Sequence, residues 1–139
     1  YIIRKEECVK YAKSLGIPFI DGDYEHEVWL EKVAGLEREP ERGQRCAKCF
    51  AVRMDATALL AAEQGFTLFT TTLTGSRWKD FGQIAEAGKR AALLVEGADF
   101  WDKDWKKGGL TERRSVLLKE NGFYNQQYCG CEFSIRKPE

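Results

Sequence analysis

"RCAKCFAVRMDATALLAAEQGFTLFTTTL", residues 45–73, is the stretch whose reading decides the fold class. From Arg45 to Gln64 it is rich in Ala and holds no Pro or Gly, so it predicts a long helix that stops at Gly65. "FTLFTTTL" (66–73) is β-branched and aromatic and predicts a strand. A helix running through one glycine into a strand is a unit of an α/β protein.

Working outward, the alternation continues. Residues 4–15 predict a helix with Cys8, Tyr11, Ala12 and Leu15 on one apolar face, ended by Gly16. On that face Cys8 reads as a small buried residue. "IPFID" (17–21) predicts a short buried strand, 24–33 a helix, and 35–43 a charged loop punctuated by Pro40 and Gly43. After residue 73 come a loop, "TGSRWKD", a helix over 80–95 and a third strand, "ADFWD" (98–102). "KKGG" then breaks the chain, and 111–121 predicts a helix with Thr111 as its N-cap. "FYNQQYCGCEFS" (123–134) reads as loop or edge strand. The pattern predicts one α/β domain over residues 1–139, with parallel strands and helices on both faces. A sheet of this kind begins with a strand, whereas this sequence begins on a helix. The first strand and its loop are therefore expected upstream of residue 1.

Twenty-two basic residues balance 22 acidic ones in 139 residues, so overall charge steers the chain toward neither nucleic acid nor membrane. No stretch approaches the roughly 20 apolar residues of a membrane span. The opening "YIIRKEECVKYAKSLG" has charges where a signal peptide has its apolar segment. In a reducing compartment, paired cysteines point to metal binding or redox chemistry more than to structural disulfides.

The sequence has 5 cysteines, four of them paired. Cys46 and Cys49 fall at i and i+3 of a helix start and so share a face. The helix N-terminus and nearby Arg42, Arg45 and Lys48 favour the thiolate, which binds metals and attacks electrophiles. Cys129 and Cys131 flank Gly130, and a disulfide between them would close a small, readily reduced ring. Three readings stand: metal ligands, a redox couple, or small core residues. Zinc and iron–sulfur clusters both take four-cysteine sets. His26, the one histidine, lies among acidic residues and reads as solvated.

Other candidates follow. Thr70, Thr71 and Thr72 end a strand, where open α/β sheets bind ligands. Arg77, Trp78 and Lys79 combine cations with an aromatic, a mixture suited to phosphates and an unstacked base. "WDKDWKKGG" offers Asp102 and Asp104 as acids or metal-facing carboxylates, beside Lys106 and Lys107. No G-x-G-x-x-G or Walker loop is present.

"EPERGQRCAKCFAVR", "TTTLTGSRWKDFGQI", "DKDWKKGG" and "FYNQQYCGCEFS", in this order, resemble the QueH-type epoxyqueuosine reductases. The resemblance implies a cytoplasmic iron–sulfur enzyme with a fold similar to the adenine-nucleotide α-hydrolases, a Rossmann-like (HUP) architecture. It implies reduction of epoxyqueuosine to queuosine at the wobble position of tRNA with a GUN anticodon, with an unidentified electron donor and no membrane. Cys46 and Cys49 would then hold a [4Fe–4S] cluster. Cys129 and Cys131 would be a redox-active pair, or ligands to a mononuclear iron beside the cluster. Cys129, Cys131 and Asp104 are expected to be catalytic, and Thr71, Thr72, Arg77, Trp78, Lys79, Lys106 and Lys107 to bind substrate. The family opens with a strand ending in adjacent cysteines followed by an Asp. This chain has no Cys-Cys, which places the other cluster ligands in the segment expected upstream. A zinc-stabilised RNA-binding module and a metal-free thiol oxidoreductase are the alternatives.

Overall fold

A computed structural model of the chain describes residues 1–23 and 25–135. The elements run α1 (Ile2–Ser14), α2 (His26–Lys32), α3 (Gln44–Glu63), β1 (Leu68–Phe69), a 3₁₀ turn (Leu73–Gly75), α4 (Phe81–Ala92), β2 (Asp99–Phe100), α5 (Leu110–Asn121) and a second 3₁₀ turn (Glu132–Ser134). β1 and β2 pair in parallel, with Leu68 opposite Asp99 and Phe69 opposite Phe100. α4 is the crossover that parallel pairing requires. The class is α/β, with a small two-stranded parallel sheet.

α3 and α4 pack on this sheet and on each other through Phe50, Met54, Ala58, Ala61, Phe69, Ile84, Ala87, Ala91 and Ala98. Small residues on α4 let it lie close. At Gly88 an added Cβ would stand 2.3 Å from the Phe100 ring, so this contact requires glycine. Asp80 caps α4, accepting from the Gln83 N–H at 3.0 Å.

Several expectations are corrected. Among the described residues, no helix covers the second sheet face: Leu68 is 54% and Trp101 45% exposed, and neither α1 nor α5 contains a buried residue. Cys8 is exposed. Residues 17–21 form no strand. α1 ends in a Schellman arrangement, with Gly16 N–H donating to Lys13 O and Ile17 N–H to Ala12 O, which turns the chain back along α1. Lys5 and Asp21 hold it there at 2.5 Å. The helix expected over 24–33 is α2, and Tyr24 lies outside the described residues.

The strand expected over 66–73 shrinks to Leu68–Phe69, because side chains replace the ladder beyond it. Thr70 Oγ1 donates to Trp101 O at 2.7 Å, and Leu73 N–H turns onto Thr71 Oγ1 at 3.1 Å. Thr111 does not cap α5. Gly109 holds that position, and the Thr111 hydroxyl donates to Lys106 O instead. Residues 123–134 contain no strand and end in a 3₁₀ turn.

Candidate active site: two cysteine pairs joined across a lysine

α3 begins at a bend held from several sides. Arg42 sits at φ +67°, a left-handed conformation unusual for a residue with a side chain and costing on the order of 1–2 kcal/mol. Its N–H donates to Cys46 Sγ at 3.3 Å, its guanidinium donates to Arg77 O at 2.9 Å, and its carbonyl accepts from Gln83 Nε2 at 2.7 Å. Three partners fix the strained residue, and the first of them is a cysteine sulfur.

Cys46 and Cys49 share one face of α3, with Arg53 a turn further along. Arg45, one residue away, is 2% exposed and belongs to the interior. Its Nη1 donates to the carbonyls of Leu36, Glu37 and Glu39, the last at 2.6 Å. Its guanidinium lies 5.4 Å from the centre of the Phe133 ring. Arg45 therefore ties α3 to the turn that follows Cys131.

That turn is gripped from its other side by α2. Trp29 stacks on Phe133 at 6.0 Å, His26 stacks on Trp29 at 5.8 Å, and His26 Nε2 lies 2.9 Å from Glu132 Oε1. His26 is thus a structural clasp whose side chain is still 42% exposed.

Within "CGC", Gly130 adopts φ +102°, which only glycine takes readily, and folds the two thiols together. The Cys131 side chain hydrogen-bonds the Cys129 sulfur, and that bond is the largest influence lowering the Cys129 thiol to about 5. Burial opposes it. Ser134, 3.0 Å from the sulfur, the Cys131 N–H and the charge of Lys79 add to it. The same thiol–thiol bond, then burial, push Cys131 up. The two thiols are thus shifted in opposite directions, Cys129 toward the thiolate and Cys131 toward the thiol. All five cysteines are free.

Lys79 lies against the second pair. Its ammonium donates to the Cys129 carbonyl at 3.0 Å. Burial lowers its pKa most; the Cys129 thiolate raises it, Arg53 and Arg4 lower it, and Cys49 raises it. A lysine read in the sequence as a phosphate contact is turned inward, onto the Cys129 carbonyl. Its neighbour Arg77 donates to Gln127 Oε1 at 3.2 Å and lies 4.5 Å from the centre of the Trp78 ring, so the "RWK" loop is a strap onto residues 127–129.

The structure thus brings Cys46, Cys49, Lys79, Cys129 and Cys131 into one region. The contacts of Asp104 and Lys106 go elsewhere: Asp104 Oδ1 accepts from the Lys106 N–H at 3.0 Å, and Lys106 Nζ donates to Thr74 O. Lys107 and Thr72 are exposed. Thr71 O accepts from Trp105 Nε1 at 2.8 Å, so that threonine braces the 101–105 loop. Thr74, which the sequence did not single out, is 1% exposed and donates to Lys103 O at 2.7 Å. Gln83, Gln127 and Ser134 were also missed, and Arg42 was read only as a cation beside the cysteines, not as the bend that starts α3. A serine three residues after Cys131 was the one hint of Ser134.

A [4Fe–4S] cluster takes four ligands. Among the described residues, no group of three or more His, Cys, Asp or Glu side chains is placed to hold a metal ion. Cys46 and Cys49 supply two thiolates on one helix face, and the N–H donated to Cys46 is the kind of hydrogen bond that tunes a cluster sulfur. The residues present fit as half of a ligand set.

The chain is thus an α/β scaffold that brings two cysteine pairs into one region. Residues 1–137 match the family described as epoxyqueuosine reductase QueH, and the chain belongs to that family. It is 47% identical over 136 residues to the epoxyqueuosine reductase QueH of Histophilus somni (strain 129Pt), a match covering 98% of this chain and 56% of that protein. Identity is 46% to its namesake in Haemophilus influenzae, over 98% of the chain and 56% of the relative. For Acinetobacter baylyi it is 45%, over 98% and 62%. The chain spans little more than half the length of these curated relatives.

Proposed function

We propose that the protein of which these residues form the thiol-bearing part reduces the epoxide of epoxyqueuosine in tRNA to the alkene of queuosine, in the cytoplasm. Membership of the QueH family supports the substrate. The observation that carries the chemistry is the Cys129–Cys131 pair, folded together at Gly130 with its two thiols shifted in opposite directions and Lys79 on the Cys129 carbonyl. The electrons balance. Removing the epoxide oxygen as water requires two electrons and two protons, and oxidation of a dithiol to a disulfide releases both. Cys129 is the nucleophilic sulfur and Cys131 its resolving partner. Lys79 is the cation nearest them and the candidate proton donor to the departing oxygen. An external donor then returns the disulfide to the dithiol.

Cys46 and Cys49 would hold a [4Fe–4S] cluster together with ligands from outside the described residues. When bound, the cluster supplies electrons one at a time to this region. The parallel pair with its helical crossover supports a Rossmann-like fold of the adenine-nucleotide α-hydrolase kind. No helix of the described chain is long and apolar enough to cross a membrane.

The test is chemical analysis of tRNA nucleosides from a strain that accumulates epoxyqueuosine, supplied with the full-length protein or its Cys129→Ser variant. Queuosine is expected with the first and not the second. Queuosine restored equally by both removes Cys129 from the reaction. A metal-free thiol oxidoreductase is the second reading, favoured by the Cys129–Cys131 pair, since a dithiol carries two electrons without a metal. It predicts a colourless full-length protein after anaerobic purification. The use of Cys129 and Cys131 as iron ligands instead predicts loss of iron in either Ser variant.

A further inference from the structure

Arg45 is the one buried charged residue among those described, at 2% exposed. It forms no ion pair among the described residues. Its Nε is buried without a hydrogen-bond partner, while Nη1 donates to three carbonyls of the 36–39 loop. A buried charge with no counter-ion is costly, and a methionine of similar length would avoid that cost. What methionine lacks is the flat guanidinium, and this one lies over a single ring, that of Phe133, at 5.4 Å.

Phe133 is held by a second element as well. Trp29 of α2 stacks on it at 6.0 Å, with 26° between the planes. Phe133 is the middle residue of the 3₁₀ turn Glu132–Ser134, which hangs directly on Cys131. The Ser134 N–H donates to the Cys131 carbonyl at 3.0 Å, and the Ser134 hydroxyl donates to the same oxygen at 2.6 Å. Fixing Phe133 therefore fixes Cys131. At the other end of the pair, Lys79 holds the Cys129 carbonyl at 3.0 Å. Between the two lies Gly130 at φ +102°, the residue with the widest backbone freedom. Released at Phe133, the chain would turn about Gly130 and carry one sulfur away from the other.

We propose that Arg45 is a positioning residue for the thiol chemistry: by clamping Phe133 it holds Cys131 where its sulfur closes onto a captured Cys129. The inference rests on the reading of Cys129 as nucleophile and Cys131 as its resolving partner. It acts on the closing step alone, since the reach of Cys129 toward an electrophile depends on the opposite end of the turn.

The experiment is anaerobic reaction of the reduced full-length protein with glutathione disulfide, quenched with acid over time and read by mass spectrometry of the peptide that carries both cysteines. In the capture step the Cys129 thiolate bonds to one glutathione sulfur, the glutathione disulfide breaks, and one glutathione thiolate leaves. In the closing step Cys131 loses its proton and bonds to the Cys129 sulfur, and the second glutathione thiolate leaves. The dithiol gives up two electrons and glutathione disulfide receives them. Wild type, Arg45→Met, Phe133→Leu and the double variant are compared. Capture should proceed at the wild-type rate in all four. Closure should be about tenfold slower in each single variant, because the sulfurs lose effective concentration. The double variant should be no slower than the slower single one, because both changes break the same contact. Where Arg45→Met does not fold, Arg45→Lys replaces it, keeping charge and donors but lacking the flat fork, and closure should again be slowed.

Closure at the wild-type rate in the Arg45 variant or in Phe133→Leu overturns the proposal. Capture and closure slowed together also overturn it and assign Arg45 to the general fold. So does a double variant slowed by the product of the two single effects. A wild-type protein that is captured at Cys129 and never closes removes the dithiol reading and this proposal with it, whereas closure that ignores Arg45 removes the proposal alone.

Discussion

Cys129 is held ionised by neighbours that each can be removed, so its chemistry is open to measurement. The rate of iodoacetamide alkylation should follow an inflection near pH 5 and be assigned by peptide mapping to Cys129, not Cys131. Cys131→Ser deletes the largest contribution and Ser134→Ala a smaller one, so both should move the inflection upward, the first more. An inflection that stays at the ordinary thiol range in the wild type contradicts the pairing. Linkage gives the corresponding stability. The folded pKa of Cys129 is depressed, so its contribution grows from about pH 5 to the ordinary thiol range near pH 9.0, is full above that range, and is lost as pH falls through 5. Cys131 acts oppositely, since its folded pKa is raised: the fold loses stability above the ordinary thiol range, where the unfolded thiol ionises and the folded one does not. On α3, Cys46→Ser or Cys49→Ser in the full-length protein should bleach iron–sulfur absorbance and abolish reduction. Retained iron and sulfide in both would end that assignment. Cys8→Ser, on the exposed side of α1, should change neither.

α4 carries the packing that sets the strap in place. Gly88→Ala should cost about 1–3 kcal/mol, because the methyl group enters the Phe100 ring and outweighs the roughly 1 kcal/mol that alanine gains in a helix. Urea denaturation measures it; a variant as stable as wild type shows that β2 can retreat. Elements that the sequence disclosed are those whose signal is local. α3 and α4 run unbroken between glycine or aspartate punctuation, and the two strands lie inside the predicted runs. The failures depend on distant partners. "IPFID" has a strand's composition, but a strand exists only where a neighbour pairs with it. Thr111 looks like a cap, but Gly109 at φ +79° starts the helix first. The cysteine pairs were legible as a site from their spacing. Arg45 was not legible as a buried residue, since its acceptors are the carbonyls of a loop whose path no local pattern reveals.

Across the whole molecule, the core lies on one side of the sheet while apolar side chains stand open elsewhere. Leu93 is 86%, Phe66 62%, Leu94 59% and Leu59 56% exposed. Exposed apolar surface of this kind drives association. Leu93→Lys/Leu94→Lys should raise the solubility of residues 1–139 and leave the circular dichroism unchanged; unaltered solubility would mean these leucines are not the associating surface. At the same scale, the proposed reduction requires that one fold bring a thiolate and its resolving thiol to an epoxide. The most direct measurement is a single turnover under anaerobic conditions. Reduced full-length protein is mixed with a limiting amount of epoxyqueuosine-containing RNA and no external donor, then quenched, alkylated and mapped. The account predicts one Cys129–Cys131 disulfide for each queuosine formed. Queuosine formed with both thiols still free to alkylate would contradict it.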